Sequence, residues 1–425
     1  MTASSNATAQ SDAGVTKAGA PDPAVFLGAV SAGSRGVPES GIVELFNYGR
    51  GRQGLIPLWV GEGDLTAPSF VAEAASRSLS RGETFYSFQG GIPELRESIC
   101  GYMSRHYGAP YEAVNGPFTA DRFSVTTGGI HALQIAVRLT CGQGDEVIVP
   151  TPAWPNFQGV VAIAGATPVE VPMRLDAGGT PDAAWAMDIG RIEAAVTPRT
   201  RALIINSPTN PTGWTASVDE LRALLALARK HGLWIIADEI YGRIVYDGAR
   251  APSFHDVIEA DDRVIFIHTL SKNWAMTGLR LGWIEAPSAL GATIANLIQY
   301  STSGVAVPLQ RGAAAALEYG EPFIARQLER FRRSRDILCD GLAATGKVHF
   351  ARPTAAFYVF AAFEGRPDTR ALAFTLVEQA NVGVAPGSAF GQGGQNYVRL
   401  CFARDPNQVA EATQRLVRWV ETALI

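Results

Sequence analysis

"TLSKNWAMTGLRLGW" (residues 269–283) places a lysine two residues beyond the apolar, β-rich run "RVIFIHTL" (263–270), and an arginine, Arg280, eight residues after that lysine. Lysine is scarce in this chain. Of 36 Lys and Arg residues, only Lys17, Lys230, Lys272 and Lys347 are lysines. Lys17 lies in the N-terminal tail, Lys230 closes a polar helix end, and Lys347 sits in a "TGK" turn. Only Lys272 follows a run expected to be buried, where an ammonium is costly unless it is used. Arginine stays protonated, whereas a lysine amine with a depressed pKa can act as a nucleophile and form a Schiff base. A solvated loop lysine is the competing account, and the neighbouring strand ends decide between the two.

Working outward, "RFSVTT", "DEVIVP", "RALIINS", "GLWIIADE" and "RVIFIHTL" alternate with helical stretches such as "IHALQIAVRL" and "SVDELRALLALARKHG". That alternation, from about residue 120 to 290, is the pattern of strand–helix–strand units in a mostly parallel sheet covered on both faces. A long helical stretch at about 309–345, interrupted near Gly320 and Pro322, follows. After it come short strands in "AFYVFAAF" and "NYVRLCFA", with helices at about 369–380 and 406–422. The expected organisation is α/β: a disordered tail (1–35), a segment (36–70) completing the smaller domain, a large domain with a mostly parallel mixed sheet (71–308), and a small α+β C-terminal domain (309–425).

Composition narrows the function classes. A chain of 425 residues that is 47% hydrophobic and 18% charged can bury a large core. Its net charge of -4 shows no basic excess for nucleic acid. Cys100, Cys141, Cys339 and Cys401 are far apart and show no CxxC spacing, so neither a disulfide framework nor a zinc site is expected, and a cytoplasmic setting fits. No apolar run is long enough to span a membrane, and the N-terminal stretch lacks the basic and apolar regions of a signal peptide.

In open α/β sheets ligands bind at the carboxyl ends of strands. "VTTGGIHAL" ends one strand in a glycine turn that opens a helix, either a plain helix start or a site for phosphate on free N–H groups. "IINSPTNPTG" ends another in a proline turn that could present the Asn210 amide. "WIIADEIY" brings Asp238, Glu239 and Tyr241, where the carboxylate either caps the next helix or keeps a ligand nitrogen protonated. A lysine able to form an imine, an aspartate for a pyridinium nitrogen, and phosphate donors from a glycine loop, Ser271 and Arg280 together match what pyridoxal phosphate requires of a protein. No GxGxxG opens a strand–helix unit, so no nicotinamide fingerprint competes.

From about residue 40 to the end the ordered set "GEGDLTAP", "FYSFQGGIPELRESI", "TTGGIHAL", "TPAWPNF", "SPTNPTG", "ADEIY", "SKNWAMTGLRLGW" and "NYVRLCFA" resembles the class I/II aminotransferases of the aspartate-aminotransferase superfamily, the fold type I pyridoxal-phosphate enzymes. The resemblance implies that Lys272 is the Schiff-base lysine and Asp238 the partner of the pyridine nitrogen, with Asn210 and Tyr241 bonding the phenolic oxygen. It places Gly129, Ile130, Thr269, Ser271 and Arg280 at the phosphate and stacks Trp154 on the ring. It sets Arg399 on the substrate α-carboxylate, with the Gly61 backbone beside it, and sends Tyr86 to the phosphate of a neighbouring subunit, implying a homodimer. The implied reaction moves the α-amino group of an amino acid to a 2-oxo acid.

Two departures bear on the substrate. Where the aspartate-using branch often has a basic residue for the distal carboxylate, this chain has Ile130, which points to a neutral or apolar substrate side chain. In the "GEGDLTAP" loop, Gly63, Leu65 and Ala67 depart from the usual "EPDFxTP". The same cofactor residues would also serve a lyase or an amino-acid oxidase. A non-catalytic sensor domain of a regulator would need a DNA-binding module ahead of it, and the stretch before residue 40 is short and helix-poor.

Overall fold

The computed structural model describes residues 23–35, 41–111, 118–176, 184–259 and 261–424. Residues 1–37 and 38–425 form separate compact units. In the first, short helices span Pro23–Ala29 and Ala32–Arg35, inside the stretch expected to be a tail, while residues 1–22 lie outside the described residues.

The second unit is built on a seven-stranded sheet. Its strands are β1 (Phe123–Thr126), β2 (Glu146–Thr151), β3 (Thr167–Pro172), β4 (Thr200–Asn206), β5 (Trp234–Asp238), β6 (Val264–Thr269) and β7 (Gly282–Glu285), in the order β1-β7-β6-β5-β4-β2-β3. All pair in parallel except β7, which runs antiparallel between β1 and β6. The chain arrives at this sheet because its central strands carry runs of buried apolar residues, Val147–Val149, Ala202–Ile205, Ile235–Ala237 and Val264–Ile267, a pattern that suits a sheet covered on both faces. Ile148, Leu203, Ile205, Ile235 and Ala237 pack into one core, and their alternating neighbours Val147, Val149, Ile204, Ile236 and Ile265 into another. Each of the Val, Leu and Ile side chains among them contributes about 1.5–3 kcal/mol by leaving water. β3 and β7 were not among the expected runs: β3 carries Thr167, Pro168 and Glu170 among its apolar residues, and β7 is four residues that follow a turn.

The helix Val218–His231 shows how local signals set element ends. Its apolar stripe, Leu221, Leu224, Leu225 and Ala228, recurs at helical spacing and is buried. Ser217 and Glu220 form a reciprocal capping box at its start, and Gly232, at φ 67, ends it in the left-handed region.

The expected helical stretch divides at Gly320 into Val307–Tyr319 and Glu321–Ala344. Beyond it a four-stranded antiparallel sheet comprises β8 (Val348–Phe350), β9 (Tyr358–Phe363), β10 (Ala385–Pro386) and β11 (Val398–Cys401), in the order β8-β9-β11-β10. The N-terminal segment joins this part of the chain. Ile56–Pro57 pairs in parallel with Val382–Gly383, and the Leu58 carbonyl accepts from the Cys401 N–H at 2.8 Å.

The consequence for function is directional. The parallel strands β1, β4, β5 and β6 end on one side, at Thr126, Asn206, Asp238 and Thr269. Replacing Ser217 with Ala removes the cap and is expected to lower unfolding free energy by about 1 kcal/mol in a denaturant titration.

Candidate active site

The carboxyl edge of the sheet opens into a cavity of about 470 Å3. Gly61, Gly129, Ile130, Trp154, Asn210, Asp238, Tyr241, Thr269, Ser271, Lys272, Arg280 and Arg399 all line it. Residues up to 338 positions apart are thus gathered by strands that end together. Tyr86 is the exception among the residues singled out from sequence. It is 94% exposed beside Phe85 and Phe88, facing a separate surface concavity with Ile92, Val307 and Arg311.

Asp238 ends β5 and is buried, accepting from the Ile240 N–H at 3.3 Å. Burial, with the neighbouring Glu239 adding repulsion, outweighs that bond and Lys272's attraction, and pushes its carboxyl up to about 7. Lys272 is half-buried, and its Nζ donates to the Gly61 carbonyl at 2.8 Å. Burial draws its amine down to about 8, against the opposing pull of Cys401 and Glu62. A lysine near 8 carries a useful fraction of neutral, nucleophilic amine at neutral pH.

Arg399, on β11, is buried and fully directed by its surroundings. Its Nη1 donates to Asn210 Oδ1 at 2.9 Å, its Nη2 donates to the Trp59 carbonyl, and its guanidinium lies over the rings of Tyr358 and Phe390 at 4.6 and 5.0 Å. Its buried Nε–H has no partner among the described residues. With its oxygen engaged by Arg399, the Asn210 amide keeps its N–H groups for the cavity. Asn210 is itself held in place by its backbone N–H on Asn206 Oδ1 at 2.9 Å, while Asn206 Nδ2 donates to the Asp238 carbonyl at 3.0 Å. The turn expected from the two prolines is therefore also tied to β5.

On the opposite wall the helix Gly129–Thr140 starts after Gly128, at φ 79. A Cβ at Gly128 would lie 2.5 Å from Arg280 Nη2, so a side chain there would expel the guanidinium from the helix start. Arg280, itself in the left-handed region, donates to the Thr277 carbonyl at 2.6 Å. The Thr269 and Ser271 hydroxyls lie 2.9 Å apart nearby. A helix N-terminus, a guanidinium and two hydroxyls on one wall can hold a dianion.

Sequence reasoning missed several lining residues. Ile42, Val43 and Phe46 come from the helix Gly41–Gly49, and Trp59 and Val60 precede the glycine loop. Tyr358, on β9, is fully buried, and its hydroxyl lies 2.8 Å from that of Tyr241. Its only signal was a hydroxyl inside the otherwise apolar "AFYVFAAF".

Comparison with known proteins agrees with this geometry. The family model described as aminotransferase class I and II matches residues 54–416. The chain is 35% identical to the aspartate/prephenate aminotransferase of Thermus thermophilus, over 86% of this chain and 92% of that one. It is 31% identical to the aromatic-amino-acid aminotransferase 2 of Thermococcus litoralis, over 89% and 95%. The solved aspartate aminotransferase of Thermotoga maritima superposes with a TM-score of 0.84 at 30% identity, covering 92% of this chain and all of that one. The family model and these transaminases match the chain over most of its length, and the chain belongs to the class I and II aminotransferase family.

Proposed function

We propose that the chain binds pyridoxal 5'-phosphate in this cavity and transfers the α-amino group of a neutral or apolar amino acid to a 2-oxo acid. The observation that carries the reading is a lysine amine, Lys272, on the wall of the same cavity as a buried carboxyl, Asp238. The residues fit the group: Asp238 lacks a cation that a protonated ring nitrogen would supply, and Arg399 keeps a buried donor without a partner. When bound, the cofactor supplies an aldehyde to take up the amino group and a ring that withdraws electrons from Cα.

The protein's own groups do the rest. Gly129 and Ile130 N–H groups, Thr269, Ser271 and Arg280 hold the phosphate, and Trp154 stacks on the ring. Asp238 holds the proton on the ring nitrogen, which keeps the ring electron-withdrawing. Asn210 and Tyr241 donate to the ring oxygen. Arg399 clamps the substrate α-carboxylate with its planar fork, beside the Gly61 backbone. Lys272 Nζ would hold the cofactor through its aldehyde carbon, and its amine is placed to move the proton at the substrate Cα. Tyr86, exposed here, is assigned to the phosphate of a second copy in a homodimer.

The substrate class follows from a charge count. Among the described residues the cations lining the cavity are Lys272, Arg280 and Arg399, and each already has a role. None remains for a second carboxylate, while Ile42, Val43, Phe46, Val60 and Ile130 offer an apolar wall. The relatives favour transamination over elimination or oxidation on the same scaffold. The segment 36–70 with 309–425 is assigned to a smaller domain and 71–308 to the larger one. The four unpaired cysteines fit a cytoplasmic setting.

A donor panel against 2-oxoglutarate and pyruvate is expected to show higher kcat/KM for apolar amino acids than for aspartate; a strong preference for aspartate would overturn the substrate assignment. Lys272→Ala is expected to keep the fold and lose turnover by several orders of magnitude. Asp238 gives a stability test. Its folded pKa is raised, so between about 4 and about 7 the native state holds more protons than the unfolded one, and stability falls as pH rises through that window. Asp238→Asn is therefore expected to stabilise the cofactor-free protein at pH 8, by at most on the order of 4 kcal/mol, and not at pH 4. Thermal melts at both pH values, together with weakened cofactor retention in the variant, check this.

A further inference from the structure

Two buried phenols meet at the cavity wall. The hydroxyls of Tyr241 and Tyr358 lie 2.8 Å apart, their rings stand edge to face at 5.8 Å, and both line the cavity. Among the described residues neither hydroxyl has another hydrogen-bond partner. Each phenol carries one hydrogen, so in the pair one oxygen donates and the other keeps its hydrogen free. We propose that Tyr358 is a positioning residue that donates its hydroxyl hydrogen to Tyr241 and so aims the Tyr241 hydrogen at the cofactor's ring oxygen.

The inference rests on the pyridoxal-phosphate reading above, and the surroundings of Tyr358 support the direction of donation. The Arg399 guanidinium sits 4.6 Å from the centre of the Tyr358 ring, and a cation over a phenol draws electron density from it and makes its O–H the better donor. The position of that oxygen is imposed by Gly61. A Cβ there would lie 2.5 Å from the Tyr358 hydroxyl, so the backbone that holds the Lys272 amine also confines the phenol oxygen. One side chain thereby connects the carboxylate-binding arginine, the lysine-holding loop and the tyrosine at the ring oxygen. A hydrogen bond received by Tyr241 polarises its own O–H and strengthens the bond it gives. Charge on the ring oxygen is then better stabilised, and the nitrogen joining Lys272 to the cofactor gives up its proton at lower pH.

The test uses cofactor-loaded protein and the pH midpoint of its visible absorption change, for the natural chain, Tyr358→Phe, Tyr241→Phe and the double variant. Tyr358→Phe keeps the ring beneath Arg399 and removes one oxygen. Its midpoint is expected to rise by roughly half a pH unit, about threefold in the proton equilibrium. Tyr241→Phe is expected to raise it further, and the double variant to match Tyr241→Phe, because Tyr358 acts through Tyr241. An unchanged midpoint in Tyr358→Phe, or a double variant that adds the full Tyr358→Phe increment to that of Tyr241→Phe, overturns the proposal. If Tyr241→Phe itself leaves the midpoint in place, the assignment of Tyr241 to the ring oxygen falls, and the role of Tyr358 falls with it.

Discussion

A carboxylate at the end of a strand that is buried on both faces has no water to stabilise its charge, and desolvating such an ion costs several kcal/mol. Asp238 is in that position. β5 carries it between β4 and β6, and burial raises its carboxyl toward neutrality against one backbone N–H bond and the attraction of Lys272. The other groups of the site are arranged with respect to that point. Lys272 follows the adjacent strand and faces the same cavity, its amine weakened as a base by burial. Each group is destabilised alone, and a ligand carrying a protonated ring nitrogen and an aldehyde relieves both.

The second organising element is Arg399. It draws on four separate parts of the chain: Asn210 after β4, the Trp59 carbonyl before the glycine loop, and the rings of Tyr358 and Phe390. A guanidinium held on several sides loses little freedom when it meets a carboxylate, which favours binding through preorganisation. The same contacts orient Asn210 toward the cavity and place Tyr358 against Tyr241, so the residues proposed to clamp the substrate and to donate to the ring oxygen form one connected network. The apolar residues of the helix Gly41–Gly49 lie on the remaining side, leaving the walls unequal: charged and polar at the sheet edge, apolar where a substrate side chain would reach.

Much of this was legible in sequence because it is local. Five of the seven strands of the large sheet were visible as unbroken apolar runs, and the residues after them carry the polar groups that strand ends present to ligands. Lys272 stood out through scarcity, and Asp238 and Asn210 through their place after buried runs. What escaped depends on contacts between distant segments. Tyr358 is one aromatic among several in "AFYVFAAF", and its significance comes from a hydroxyl 117 positions away in the chain. Ile42, Val43 and Phe46 look like any helix face until the segment packs against the rest. β7 is too short for period-two alternation, and its pairing with both β1 and β6 is a property of the assembled sheet. Tyr86 was read as a residue for a second copy, and it is exposed on this one.

Lys272 is proposed as the amine that holds the cofactor. Reducing the cofactor-loaded protein with borohydride and mapping its peptides tests this most directly, because reduction fixes the link to whichever nitrogen carries it. A pyridoxyl group is expected on the peptide containing Lys272. A label on Lys17, Lys230 or Lys347, or no covalent label, would contradict it.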